Sequence, residues 1–352
     1  MTIEEIKKKV ESDEYGFLRK EPLKDNVILL GLGGSYAYGT NTENSDLDVR
    51  GIAVHSGEDI LARKGFEQVI DNATDTTVYS LKKIVNLLAN CNPNVIEILG
   101  LEPWQYLHLS DEGKLLLENR EIFLSKRAIH SFGGYATSQL RRLTNKSARK
   151  LPQGEHEKYI LQSVDNARQT FPEKYFQYPE DSIKLYVDKS EKDDMESEIF
   201  MDVNLKHYPL RDYKAMWSEM NDIVKSYAGI GKRNTHAASH DKLGKHMMHL
   251  VRLYLMCFDI LEKGEIVTYR TKEHDMLMDI RNGKYLDDDS QPTKEFNDLL
   301  DDLESRLEYW KEHTELPEKP DYKKINALLV GINCKAVAQW FLDKFGSFDG
   351  GV

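Results

Sequence analysis

A glycine-rich turn between two apolar runs constrains the fold of this chain more than any other feature. The first run, Val27–Leu32, predicts a buried strand that ends at glycines, which permit a tight bend and close approach to a ligand. Ser35 then opens a predicted short helix. The second run, Val49 to Val54, begins directly after Asp46 and Asp48. Because side chains two residues apart on a strand point to the same side, these two carboxylates face one point.

The residue types around this turn suit a bound metal ion and nucleotide. Carboxylates held side by side repel each other unless a cation lies between them, and Mg²⁺ prefers one or two carboxylates, with water and substrate phosphates as its other ligands. The turn Gly33-Gly34-Ser35 can donate backbone N–H groups and a hydroxyl to those phosphates. The sequence therefore predicts a site for Mg²⁺ or Mn²⁺ and for a nucleoside triphosphate such as ATP.

Each element has another interpretation when taken alone. The glycine turn lacks the Gly-Lys-Ser/Thr ending of a P-loop, and its glycines do not fit the dinucleotide-binding fingerprint. Asp46 and Asp48 could cap a turn, where Ser-Asp pairs are common. The occurrence of both elements in order favours the metal–nucleotide interpretation.

The order of these motifs resembles a known superfamily. Gly34-Ser35 followed by Asp46-Leu47-Asp48 is similar to the signature of DNA polymerase beta-type nucleotidyltransferases, in which Gly-Ser, a short spacer and Asp-x-Asp occur in turn. The longer sequence around these motifs, Gly-Ser-Tyr-Ala-Tyr-Gly followed by Ser-Asp-Leu-Asp-Val-Arg-Gly, resembles a bacterial and phage branch of the superfamily. Some members of that branch are associated with RNA ligases and RNA repair. The Asn-Pro-Asn-x-x-Glu text that ends at Glu97 extends this resemblance. It implies an α+β nucleotidyltransferase domain, a small mixed sheet with helices, over residues 1–117.

The resemblance also implies a third carboxylate. Enzymes of this type take it from a neighbouring strand, and Asp75, in the predicted strand 74–79, is the equivalent residue. With Asp46 and Asp48 it would complete a two-metal site. An Asx turn or a strand-end cap is its alternative role. Arg50, which shares the strand face by alternation, and Glu97, interpreted as a solvent-facing helix residue, are left outside the predicted site.

From about residue 118 onward the apolar spacing is mainly helical, which predicts a helical substrate- and nucleotide-binding domain over residues 118–352. In a predicted helix from about 241 to 261, Lys245, His249 and Arg252 lie opposite an apolar stripe. Such a cationic stripe could neutralise the leaving pyrophosphate, and resemblance to the same branch supports that role. An ordinary solvated helix face is the alternative.

Composition sets the expected class of protein and its partners. The chain has 352 residues, of which 40% are hydrophobic and 30% charged, and no apolar run approaches membrane-spanning length. Together with an N-terminus that lacks a signal-peptide core, this predicts a cytoplasmic protein without a membrane partner. The net charge of -11 argues against broad duplex-DNA binding. Basic clusters at 141–150 and 232–233 leave local RNA contact open.

The predicted function is transfer of a nucleoside monophosphate from a nucleoside triphosphate to an acceptor hydroxyl, with release of pyrophosphate. RNA is the acceptor that the resemblance suggests. Two alternatives stay open: transfer to a protein or small molecule, which suits the acidic surface, and a nucleotide-sensing or scaffold module that kept the fold without catalysis.

Overall fold

The computed structural model describes residues 1–136, 153–169, 171–175, 178, 182–189, 197–224, 240–288 and 291–346. Contacts divide the chain into two compact units. The first comprises Met1–Thr137, Met248–Asp279 and Asp298–Val352, and the second comprises Ser138–Met247 and Ile280–Asn297. This division groups residues by contact rather than by function, so the predicted domain boundary at residue 117 stays a prediction.

The first unit contains a five-stranded mixed sheet, in the order β3-β4-β2-β1-β5. Its strands are β1 (Val27–Leu32), β2 (Val49–Ala53), β3 (Gln68–Asp71), β4 (Thr76–Ser80) and β5 (Tyr106–Leu109). Strands β2 and β4 are parallel, and every other neighbouring pair is antiparallel. The apolar runs predicted as strands form β1 and β2, which lie inside the sheet, as fits their near-continuous burial.

Helices account for most of the remaining described residues. The first unit holds α1 (Ile3–Glu11), α2 (Gly34–Tyr38), α3 (Gly57–Ala62), α4 (Leu81–Leu88), α5 (Pro93–Ile96) and α6 (Asp111–Glu118). The later helices are α7 (Gln153–Arg168), α8 (Phe171–Lys174), α9 (Leu210–Val224), α10 (His240–Phe258), α11 (His274–Arg281), α12 (Lys294–His313) and α13 (Tyr322–Phe345). Residues 127–136 are also helical. The predicted α+β class with a helical C-terminal region is confirmed.

Local sequence explains how α4 and α5 follow the sheet. Four apolar residues of α4 recur at the helical period and are all buried: Leu81, Ile84, Val85 and Leu88. The Ser80 side chain caps α4 by accepting a hydrogen bond from the Lys83 N–H. Asn92 caps α5 in the same way, and Pro93 occupies its first position.

The last helix departs from one expectation. Among the described helices, α13 alone is long and apolar enough to cross a membrane by length and composition, and most of its apolar stretch is not buried. The expectation that no apolar run approaches this length is therefore wrong for α13. The polar residues Asn326, Asn333 and Gln339 interrupt the apolar run in the sequence, but the average hydropathy of α13 still suits a membrane-spanning helix. In the structure α13 packs against α3 and α4.

The second unit has its own small core. A hairpin of β6 (Ile183–Lys189) and β7 (Ser197–Val203) lies beside α7 and α9. Apolar residues from these elements and from α8 form one cluster, which includes Ile160, Phe171, Ile183, Met216 and Met220. The basic clusters at 141–150 and 232–233, for which local RNA contact is left open, lie outside the described residues.

Candidate active site

Strand register brings the predicted motifs to one edge of the sheet. Leu32 of β1 pairs with Val49 of β2, and Val49 pairs with Thr76 of β4. Gly33, Asp48 and Asp75 each lie one residue beyond this row, so they adjoin. Backbone hydrogen bonds close the row, since the Gly33 N–H donates to the Asp48 carbonyl at 2.9 Å and the Val49 N–H donates to the Asp75 carbonyl at 3.3 Å. The turn and two of the predicted acids therefore share one site.

Gly34 lies directly against the Asp48 side chain. Its φ of 52° is in the left-handed region, and a Cβ added there would lie 1.8 Å from Asp48 Oδ2. Only a residue without a side chain permits this approach. Because the Gly33 N–H already bonds to the Asp48 carbonyl, the N–H groups of Gly34 and Ser35 are two of the three that the first turn of α2 leaves without intrahelical partners. The Ser35 side chain is half-buried.

Arg50 lies between the carboxylates of Asp48 and Asp75. Its Nη2 is 3.4 Å from Asp48 Oδ1, and its Nη1 is 3.7 Å from Asp75 Oδ1. The same Nη1 donates to the Asp75 carbonyl at 2.8 Å. Burial and a hydrogen bond with the Asp75 carboxyl group raise the pKa of Asp48 to about 6, although Arg50 opposes the shift. The site therefore holds more negative charge than one guanidinium balances.

Asp75 is placed differently from the prediction. It lies in the turn before β4, with a φ of 45°, and not within a strand. The predicted strand 74–79 began too early because Thr74 and Asp75 belong to this turn. Asp71 provides the Asx-type contact here, since its Oδ1 accepts from the Thr74 N–H and hydroxyl, each at 2.9 Å. The Asp75 side chain instead faces Arg50 and Asp48, which keeps its predicted role open.

The acids present suit a hard divalent cation. Asp48 and Asp75 adjoin, and Asp46 lies exposed two residues before Asp48 on the same approach to β2. Within the described part of the chain, no group of three or more His, Cys, Asp or Glu side chains is arranged to hold a metal ion. One or two carboxylates plus phosphate oxygens are the ligands that Mg²⁺ usually takes, so this donor set fits the predicted ion.

The short helix α2 is held firmly at its carboxyl end. The fully buried Gln105 amide donates to the carbonyls of Tyr36 and Ala37, each at 2.9 Å. The Arg270 N–H donates to the Tyr38 carbonyl at 3.2 Å. These donors satisfy carbonyls that a helix end leaves without intrahelical partners. The glycine turn at the other end of α2 is thereby fixed in place.

Glu97 is buried, so its interpretation as a solvent-facing residue is wrong. It is 8% exposed, and its Oε2 accepts a hydrogen bond from the Tyr38 hydroxyl at 2.6 Å. Burial raises the pKa of Glu97, while Arg252, Tyr38 and Arg50 oppose that shift. The only signal in the sequence was the Asn-Pro-Asn-x-x-Glu text that carried the family resemblance.

The three predicted phosphate-binding residues of α10 have different surroundings. Arg252 is 7% exposed, and its guanidinium carbon lies 3.4 Å from the centroid of the Tyr38 ring. Its Nη2 is 2.8 Å from His249 Nδ1, which must accept the hydrogen bond because a guanidinium only donates. Lys245 is exposed and belongs to the second unit. Nucleotide contact by Lys245, His249 and Arg252 stays a prediction.

This fold and the acid-bearing edge of its sheet are consistent with a polymerase beta-type nucleotidyltransferase domain. Residues 3–161 match the family model RlaP, described as RNA repair pathway DNA polymerase beta family, which confirms the predicted resemblance. The chain is also 25% identical over 306 residues to an uncharacterized 38.9 kDa protein from the nrdC-mobD intergenic region of Enterobacteria phage T4. That alignment covers 78% of this chain and 86% of the phage protein. No solved structure matches the chain.

Proposed function

We propose that this protein is a metal-dependent nucleotidyltransferase that moves a nucleoside monophosphate from a nucleoside triphosphate to an acceptor hydroxyl. In this reaction the acceptor oxygen bonds to the α-phosphorus, and the bond to the β-phosphate breaks to release pyrophosphate. The observation that carries the proposal is the strand register, which brings the Gly33-Gly34-Ser35 turn, Asp48 and Asp75 to one sheet edge. Hydrogen-bond donors that can bind phosphate thus lie next to a pair of carboxylates.

The residues at this sheet edge have three proposed roles: binding metal ions, binding phosphate, and holding the acids in place. Asp46 and Asp48 would hold Mg²⁺ or Mn²⁺ together with the triphosphate, and Asp75 would be a ligand of the ion that serves the acceptor. When bound, such ions activate the attacking hydroxyl and stabilise the leaving pyrophosphate. Gly34 and Ser35 bind phosphate through their N–H groups, with the Ser35 hydroxyl as a further donor. Arg50 holds Asp48 and Asp75 together before the nucleotide arrives.

RNA is the acceptor that the comparisons favour. The matching family is described as an RNA repair pathway family, and its match covers the whole of the site around β1, β2 and β4. We place the reaction in the cytoplasm, with nucleoside triphosphate and RNA as its partners. A protein or small-molecule hydroxyl is the competing acceptor, since the net charge of -11 disfavours extended contact with a polyanion.

Label transfer tests the proposal. The protein is incubated with Mg²⁺, each α-labelled nucleoside triphosphate and separate pools of RNA, protein and metabolites. The matched control is Asp46→Asn/Asp48→Asn, which keeps side-chain size and removes both charges. We expect label on RNA that the control does not produce. Label on another pool identifies a different acceptor. Nucleotide binding without transfer to any pool supports the nucleotide-sensing alternative and refutes catalysis.

A further inference from the structure

A buried polar cluster adjoins the candidate active site and takes no part in the reaction proposed above. We call it the Tyr38 cluster, and it consists of Tyr38, Glu97 and Arg252. The Tyr38 hydroxyl donates to Glu97, and the Arg252 guanidinium stacks on the face of the Tyr38 ring. All three residues belong to the first compact unit and are at most 8% exposed. One tyrosine therefore contacts both an acid and a cation.

The burial of the Glu97 and Arg252 side chains is not explained by a gain in the stability of the fold. An isolated ionised group inside a protein is costly unless it is paired and hydrogen-bonded, and a well-packed apolar group often serves stability equally well. Arg252 is incompletely satisfied, because its buried Nε has no hydrogen-bond partner among the described residues. The positive charges of Arg252 and Arg50 lower the pKa of Glu97, against the effect of its burial. The cluster thus connects α10 electrostatically with the residue that holds Asp48 and Asp75.

Tyr38 also connects the cluster with the glycine turn. It is the last residue of α2, and Gly34, against which Asp48 lies, is the first. A helix of five residues spans about 7 Å, so a shift at one end displaces the other. The Thr268 hydroxyl fixes the other side of the cluster by donating to the Glu97 carbonyl at 2.7 Å. Glu97 is held by its backbone and in turn holds α2 through Tyr38.

We propose that Glu97 is a positioning residue: through Tyr38, which Arg252 covers from α10, it holds the phosphate-binding end of α2 against Asp48. This role rests on the proposed function, because it assumes that the Gly34-Ser35 turn binds nucleotide. It assigns Arg252 to the support of that turn, with no direct contact to the triphosphate. A weakened cluster then lowers nucleotide affinity even though none of its members touches the ligand.

The test measures the dissociation constant of a Mg²⁺ complex of an α,β-methylene nucleoside triphosphate by calorimetry, with thermal unfolding in parallel. Tyr38→Phe removes the hydroxyl and keeps the ring under Arg252. Tyr106→Phe is the matched control, because the Tyr106 hydroxyl donates to the Ile98 carbonyl at 2.9 Å, a bond that does not involve α2. We expect Tyr38→Phe to weaken nucleotide binding roughly tenfold, the size of effect that one hydrogen bond to a charged group gives. Tyr106→Phe should bind the nucleotide as tightly as wild type, although it loses about as much stability as Tyr38→Phe.

Glu97→Gln supplies a second, independent variant, since its amide oxygen still accepts the Tyr38 hydrogen bond while the negative charge that interacts with Arg252 is removed. It should also weaken binding, and adding Tyr38→Phe to it should weaken binding by less than the two single effects combined. Unchanged nucleotide affinity in folded Glu97→Gln and Tyr38→Phe overturns the positioning role, as does an equal loss in Tyr106→Phe. If Tyr38→Phe does not fold, Glu97→Gln decides. Absence of nucleotide binding by wild type refutes the proposed function itself.

Discussion

Replacing Gly34 by alanine tests the packing of the glycine turn against Asp48. The new Cβ would lie 1.8 Å from Asp48 Oδ2 and 2.7 Å from its Cγ, distances at which one group must move. To reach an ordinary contact the carboxylate has to shift by about 1 Å or more. A misplacement of about 1 Å at a reacting site can cost about 10²-fold in rate. We expect a loss of that size in metal-dependent transfer and a parallel loss in nucleotide binding.

The backbone cost of this substitution can be separated from its effect on Asp48. Gly264 has a similar left-handed φ of 67°, and among the described residues no atom lies within 4 Å of a Cβ added there. Gly264→Ala therefore incurs the conformational cost, about 1–2 kcal/mol, without a clash. Both alanine variants should lose stability in thermal unfolding, whereas only Gly34→Ala should lose nucleotide binding in calorimetry. Equal nucleotide affinity in the two variants would refute the proposed packing of turn and acid.

Three further expectations follow from the same site. With a chelator present, the Asp48 pKa of about 6, against an ordinary 3.8, gives a contribution to stability that is present below about pH 4 and lost as the pH rises through about 6. Thermal unfolding should therefore show Asp48→Asn gaining stability relative to wild type between pH 4 and pH 7, and a constant difference would contradict this. Because Arg50 lowers the pKa of Asp48, Arg50→Gln should raise the pH midpoint of Mn²⁺ binding, which electron paramagnetic resonance can follow. An unchanged or lower midpoint would contradict this role of Arg50. Gln105→Leu leaves two buried carbonyls of α2 unpaired and should cost about 2–4 kcal/mol in denaturant unfolding, whereas the exposed Gln339→Leu should stay within about 0.5 kcal/mol.

Local pattern predicted the parts of the fold that local forces determine. The apolar run before Gly33 became β1, the run that follows Asp48 became β2, and the helix predicted from about 241 to 261 became α10. The Gly-Ser and Asp-x-Asp motifs indicated which strands would meet. Their spacing could not give the register that places Asp48 beside Gly34, since register depends on pairing across the sheet.

The residues that sequence reasoning misplaced depend on distant partners. Glu97 is buried because Tyr38, 59 residues earlier, donates to it, and no property of the α5 sequence shows that contact. A helical projection of α10 correctly groups Arg252 with His249 but cannot show that an aromatic ring covers the guanidinium. Asp75 was assigned to a strand because its threonine neighbours favour strands, whereas the Asp71 side chain stabilises a turn there.

Locating the bound metal ion tests the central claim most directly. Crystals grown with Mn²⁺ and an α,β-methylene nucleoside triphosphate would show the ion by its anomalous scattering, independently of any acceptor. The account predicts Mn²⁺ within bonding distance of the Asp48 carboxylate, with Asp46 or Asp75 as a further ligand and the triphosphate against Gly34 and Ser35. Nucleotide and Mn²⁺ bound away from this sheet edge, with Asp48 still paired to Arg50, would contradict it.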